Sequence, residues 1–316
     1  MARWITRTAF AALIVCAGLA QASESITLRI GFLRGPTDLA LAKEKGTLEK
    51  ALAAHQVKVV WAGPFAAAAP AYEALNAGSI DMTTGSSTAF VTAIAAGLPL
   101  RFFASQAMPA EGEGIVVRNN SDIHSLQDLR GKKVAVNKGG TGEYLLSRAL
   151  ERAGIPEQDV TKVYLSPSDT GTAFVGGHVD AWAIWDPFLS LARESYDARL
   201  LSNGKQVGSE NAAGYFVSEA FYQAHPEVLN WVYEVLQQEN HWAKAHPLEA
   251  GKIWASQMGQ LGNALAAQLG KVNTVPVTPV DEAAITHIGH IADWYQQQGL
   301  IASHPDIRQH VVTLTP

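Results

Sequence analysis

The stretch Gly78-Ser-Ile-Asp-Met-Thr-Thr-Gly-Ser-Ser-Thr-Ala-Phe90 reads as a short buried strand turning into a helix that opens with hydroxyls. Gly78 ends the helical run before it, Ile80 and Met82 are strand formers, and Gly85 turns the chain at the strand's carboxyl end. Ser86, Ser87 and Thr88 then fall where a new helix has unpaired N–H groups. Hydroxyls there either cap the helix or, aided by its dipole, hold an anion. The helix continues from Ala89 to Ala96 and stops at Gly97.

The same pattern returns about one hundred residues later. Ala74-Leu-Asn-Ala-Gly-Ser-Ile-Asp-Met82 aligns with Ala173-Phe-Val-Gly-Gly-His-Val-Asp-Ala181, which sets Ser86 opposite Trp185, Ser87 opposite Asp186 and Thr88 opposite Pro187. A second echo pairs the strand Ile26 to Leu33 and its Arg34-Gly35-Pro36-Thr37 turn with Lys132 to Asn137 and the Lys138-Gly139-Gly140-Thr141 turn. Both turns read cation, glycine, small residue, threonine, helix. Two such units predict two α/β lobes presenting the carboxyl ends of their strands, where open α/β sheets bind ligands.

Residues 1–22 read as an export signal: Arg3 and Arg7 precede an apolar stretch from Ala9 to Ala20, and Ala20-Gln-Ala22 is an A-x-A cleavage site. The stretch is too short to span a bilayer. Cys16 follows Val15, where a lipoprotein signal would carry a small residue, so the expected product is a soluble periplasmic protein. It would have 294 residues and no cysteine, which removes disulfides, thiol nucleophiles and cysteine metal sites together. Two of the 24 basic residues lie in the signal, leaving 22 against 29 acidic ones; this balance argues against nucleic acid or an anionic membrane as partner.

Strand patterns alternate with helical ones over strand 26–33, helix 37–54, strand 57–61, helix 66–77, strand 80–84, helix 86–96 and strand 99–106. Pro109 to Gly114 breaks the alternation and reads as a crossing. A second series follows: strand 114–118, a capping box at Ser125-Leu-Gln-Asp128, strand 133–137, helix 141–153, strand 161–165, helix 168–176, strand 179–183 and strand 198–202. Gly214 to Ser218 reads as the return crossing, and the remainder is helical around a Pro276 to Pro279 connector. The expected division is 1–22 signal, 23–110 with 216–316 as a discontinuous first lobe, and 111–215 as the second, with mainly parallel sheets. Two lobes joined by two crossings form a hinged clamp.

Leu28-Arg-Ile-Gly-Phe32, Trp61 with Phe65, Glu73 to Asp81, Leu129-Arg-Gly-Lys-Lys-Val-Ala-Val136 and above all Gly177-His-Val-Asp-Ala-Trp-Ala-Ile-Trp-Asp-Pro-Phe188 carry a family resemblance. The chain resembles, over nearly all of 25–300, the periplasmic substrate-binding proteins of ABC importers for aliphatic sulfonates and taurine, in the wider nitrate, sulfonate and bicarbonate group. The resemblance implies an α/β, bilobed type II periplasmic-binding-protein fold. Such a protein closes on a small organic anion and presents it to a membrane permease and, through that, to its ATPase; it works as a monomer without cofactor. Gly142-Glu143-Tyr144 and the 107–114 segment with Glu111 and Glu113 depart from the family pattern, and a glutamate at 143 would oppose a nearby sulfonate.

A sulfonate is a permanent anion with three acceptor oxygens and needs donors. Ser86, Ser87 and Thr88, the Gly140-Thr141-Gly142 turn and the Gly35 to Thr37 junction would supply them at helix starts; Arg34 and Lys138 would raise the local potential. Trp61, Trp182 and Trp185 are candidate walls for the organic part, although residues three apart on a strand face opposite sides, which favours Trp185 for the cleft. Asp186 either caps the helix after Pro187 or accepts from an amino or hydroxyl group of the ligand. Other cargoes within the fold are nitrate, a thiamine-precursor pyrimidine or an aromatic sulfonate. A reading from another class is an exported hydrolase using Ser87, but Gly85-Ser-Ser-Thr-Ala89 lacks the closing glycine of a nucleophile elbow and no histidine pairs with it. His287 and His290 are three apart on a helix without a third ligand, so no metal is expected.

Overall fold

The computed structural model describes residues 25–314; the expected signal 1–22, with Cys16 and the cleavage site after Ala22, lies outside the described residues. The strands are β1 (Ile26–Leu33), β2 (Val57–Phe65), β3 (Met82–Ser86), β4 (Leu100–Ala107), β5 (Glu113–Arg118), β6 (Lys133–Val136), β7 (Thr161–Tyr164), β8 (Ala181–Trp185), β9 (Ala198–Asn203), β10 (Ala212–Ser218) and β11 (Val277–Pro279). They form a six-stranded sheet ordered β11-β4-β10-β3-β1-β2 and a five-stranded sheet ordered β7-β6-β8-β5-β9.

The repeat noticed in the sequence is structural. β3 and β8 start and end at matched positions, Met82 with Ala181 and Ser86 with Trp185, and each feeds a helix, Ser87–Ala95 in one case and Phe188–Ser195 in the other. Both repeats are parallel to their predecessors, β3 to β1 and β8 to β6.

The expectation of mainly parallel sheets needs correction. β10 runs antiparallel to both β3 and β4, and β5 antiparallel to both β8 and β9. These two strands are the ones the crossings deliver. A chain that leaves one sheet at its strand tips enters the facing sheet from the tips, so its first strand runs against the strands it pairs with; β11, at the edge, is also antiparallel to β4. For the same reason Gly214 to Ser218 is not a crossing. It is the body of β10, the chain rejoins the first sheet at Ala212, and the boundary expected at 215–216 falls inside that strand. The return segment is Gly208 to Asn211, and the outward one is Met108 to Gly112.

Tyr215 and Val217 bury on one face of the first sheet with Leu28, Ile30 and Met82, while Phe216 buries on the other with Phe90, Phe102 and Tyr72, the alternation a strand imposes. The helix expected over 37–54 is two, Asp38–Lys45 and Thr47–Ala53, because Gly46 takes a left-handed conformation with φ of 66° and ends the first. The capping box is present, with the Asp128 carboxylate accepting from the Ser125 N–H at 2.8 Å, but it opens a 3-10 turn. The C-terminal helices Pro247–Ser256 and Asn263–Asn273 pack Trp254, Leu265 and Leu269 against Leu41 of the first lobe and Leu191 of the second, so they bridge the two sheets.

Candidate ligand-binding site

Between the tips of the two sheets lies a cavity of about 100 Å³. Four helices begin at its wall, two from each lobe. Thr37 caps Asp38–Lys45, its hydroxyl accepting from the Ala40 N–H at 3.1 Å. Ser86 caps Ser87–Ala95, accepting from the Ala89 N–H at 3.2 Å. Thr141 is the first residue of Thr141–Ala153. Asp186 precedes Phe188–Ser195, and its Oδ1 accepts from the Ser190 N–H at 2.9 Å. Each helix start carries a fractional positive charge, roughly half an elementary charge by dipole summation, and first-turn N–H groups without intrahelical partners. Four of them aimed at one small volume favour an anion.

Gly35, Thr37, Ser86, Thr141, Trp185 and Asp186 are brought together in this wall, with Arg34 as an exposed cation at its edge. Trp185, half-buried at the tip of β8, offers an aromatic surface beside Met108 and Pro109 of the outward crossing. Burial pushes the Asp186 carboxyl above its ordinary value, against the opposing hydrogen bonds from Ser190 and Asn273. Asn273 Nδ2 donates to its Oδ2 at 2.8 Å, a bond from the C-terminal bridge to the second lobe.

Six expected residues lie elsewhere. Trp61 sits mid-strand because β2 runs on to Phe65, and its Nε1 donates to Glu49 Oε1 at 2.6 Å on the outer helix Thr47–Ala53. Trp182 is in the core of the second lobe between Phe174 and Phe188, 1% exposed, on the face of β8 opposite to Trp185. Ser87 is fully buried; its hydroxyl donates to Asn211 Oδ1 at 3.2 Å and accepts from the Ala212 N–H at 2.9 Å. Those partners, an amide oxygen and a backbone N–H, cannot take a proton, which removes Ser87 as a nucleophile. Thr88 is buried against Ser86, hydroxyl to hydroxyl at 3.0 Å. Of the turn Gly140-Thr141-Gly142 only Thr141 reaches the cavity. Gly140 gives its carbonyl to the Tyr144 N–H, and the Gly142 N–H is taken by Asn137 Oδ1 at 2.7 Å. A side chain on Gly142 would start 2.5 Å from the Ala183 carbonyl, so the helix approaches β8 only with glycine there.

Glu143 does not oppose an anion. Its Oε2 accepts from the Gly139 N–H at 2.7 Å and its Oε1 from Tyr164 Oη at 2.7 Å and Lys162 Nζ at 3.3 Å, so it braces the turn from behind. Lys138 is exposed and outside the cavity wall.

Asn137, Gln106, Tyr215 and Asn273 also line the wall and are not among the residues expected from the sequence. Asn137 follows the last residue of β6, and the strand-tip rule pointed at it. Gln106 and Tyr215 are joined by a 3.0 Å hydrogen bond, and Gln106 Nε2 donates to the buried Asp38 carboxylate at 2.9 Å. They come from strands whose pairing is not local in sequence. Asn273 arrives from the C-terminal bridge, 87 residues from the aspartate it contacts, and nothing in its neighbourhood announces it.

Residues 38–250 match the family model described as NMT1/THI5 like. An Escherichia coli K12 protein whose name marks it as an aliphatic sulfonates-binding protein is 31% identical over 311 residues, 98% of this chain and 96% of its own. Two solved structures superpose on the chain. The periplasmic aliphatic sulphonate binding protein of Escherichia coli does so with a TM-score of 0.80 at 30% identity, covering 92% of both chains. The alkanesulfonate-binding protein of Xanthomonas axonopodis pv. citri, solved bound to MOPS, does so with a TM-score of 0.84 at 31% identity, covering 92% of this chain and 99% of its own.

Proposed function

The chain belongs to the NMT1/THI5-like family, and on that premise we propose that it is the periplasmic solute-binding component of an ABC importer, carrying an aliphatic sulfonate or related small organic anion. The observation that carries this reading is the convergence of helix starts from both lobes on one cavity. Ser86 from the first lobe and Thr141 from the second bring hydroxyl and N–H donors to the sulfonate oxygens. The alkyl part lies along Trp185 and Met108, and an amino or hydroxyl group at the far end of the cargo meets Asp186. Because donors on both sides meet the anion only when the lobes are together, the ligand favours the closed form. The protein performs no reaction. It is exported by its first 22 residues, acts as a monomer and hands its cargo to a permease coupled to an ATPase.

Calorimetry of the mature protein with taurine, ethanesulfonate and MOPS, beside nitrate, a hydroxymethylpyrimidine and benzenesulfonate, tests the cargo. An aliphatic sulfonate should bind best and raise the melting temperature by mass action. Ser86→Ala and Thr141→Ala should each weaken it by about tenfold, the size of one lost hydrogen bond to a charged group. Binding of the pyrimidine or of nitrate in preference would overturn the sulfonate reading and leave the receptor reading standing.

A further inference from the structure

The return crossing carries one side chain that touches both lobes at once. Asn211, 5% exposed, uses its amide on four partners. Its Oδ1 accepts from the Ser87 hydroxyl at 3.2 Å and the Thr88 N–H at 3.4 Å, at the start of the first-lobe helix. Its Nδ2 donates to the Thr141 hydroxyl at 3.2 Å, at the start of the second-lobe helix, and to Glu113 Oε2 at 3.1 Å, where the outward crossing enters β5. The Thr88 N–H can only donate, which fixes which end of the amide faces which lobe. The crossing does not need this side chain to hold its path, since the Asn211 and Ala212 N–H groups are already bonded to the Ser209 and Ser87 hydroxyls.

Ser87 and Thr88 directly follow Ser86 in the cavity wall, and Thr141 is itself in that wall. Asn211 therefore stands behind the wall, bonded to the neighbours of Ser86 on the first-lobe side and to the wall residue Thr141 itself on the second. We propose that Asn211 is a positioning residue of the binding site, setting the separation of the Ser86 and Thr141 helix starts and so the fit of the closed lobes to the ligand. The proposal rests on the reading of the cavity as the ligand site. An amide suits the place because its separate ends offer two acceptor positions to one lobe and two N–H donors to the other. Aspartate would set a carboxylate against the buried Glu113 carboxyl and lose the donor to Thr141.

The test is a two-site exchange measured with MOPS by calorimetry, with melting temperature recorded for each free protein. Asn211→Asp should weaken MOPS binding by about tenfold or more. Adding Glu113→Gln, which returns a donor facing the new carboxylate, should recover binding to within about threefold of wild type. A residue that only supports the fold would change melting temperature without this pattern in affinity. Should Asn211→Asp not fold, Asn211→Ala measured well below its melting temperature carries the same test. Affinity equal to wild type in either single variant, or a double variant no tighter than Asn211→Asp, overturns the proposal. Failure of wild type to bind any sulfonate instead overturns the reading of the cavity.

Discussion

Trp182 and Trp185 stand three residues apart on β8 and face opposite ways, one into the core among Phe174 and Phe188, the other into the cavity. Strand alternation required that split, and the strand's end at Trp185 decides which indole reaches the cavity. Trp182→Ala should destabilise the fold by about 3–5 kcal/mol, the cost of emptying a buried aromatic site, read by denaturant unfolding. Trp185→Ala, at a half-buried site, should cost less stability than Trp182→Ala and weaken sulfonate affinity, read by calorimetry; equal effects of the two variants on both quantities would contradict the two placements. Ser86, Ser87 and Thr88 were legible as a group of hydroxyls at a helix start, but not individually. Consecutive helix residues are rotated by about 100°, so Ser86 meets the cavity while Ser87 and Thr88 turn inward to Asn211 and Ser86.

At the scale of elements, the two turns that read alike in sequence lead to helices facing one cavity, yet they are held by different means. The Thr37 hydroxyl caps its own helix, whereas the Gly139 to Gly142 turn is held by Asn137 in front and Glu143 behind. The second arrangement depends on Lys162 and Tyr164, which reach Glu143 from the neighbouring strand β7. That pairing is tertiary, which is why a glutamate in the first turn of this helix read as a charge aimed at the ligand. Glu143→Ala should cost about 1–3 kcal/mol, read by denaturant unfolding, by removing the acceptor of the part-buried Gly139 N–H and the counter-charge of Lys162. Glu143→Gln should leave sulfonate affinity within about threefold, because the carboxylate is paired with Lys162 and bonded to Gly139 and Tyr164 outside the cavity wall. A large tightening on Glu143→Gln would return the carboxylate to the ligand's side.

Across the whole molecule the lobes meet beyond the crossings. Tyr144 packs edge-on against Trp294 at 5.2 Å between centroids, Trp294 Nε1 donates to Glu151 Oε2 at 3.1 Å, and Asn273 reaches Asp186. Burial pushes two carboxyls, Asp38 below the cavity and Glu113 at the crossing, up to about 7. Their unfolded values lie near 4, so folding takes up protons between those limits. The stabilisation is complete below about 4 and is lost as pH rises through about 7. Melting temperature should therefore fall between pH 5 and pH 8, with a shallower slope in Asp38→Asn and Glu113→Gln; an unchanged slope in both would show that neither carboxyl carries the effect. By itself the sequence determined what depends on short-range order: the strand-helix alternation, the hundred-residue repeat, the helix starts with their hydroxyls, and the family. Only the tertiary structure decided which hydroxyls face the cavity, that β5 and β10 run antiparallel to both of their neighbours, and that Asn137, Tyr215 and Asn273 line the cavity while Asn211 joins the two lobes beside it. The reason is that such contacts join residues tens to hundreds of positions apart, and local pattern carries no information about which distant strand or helix will supply the other half.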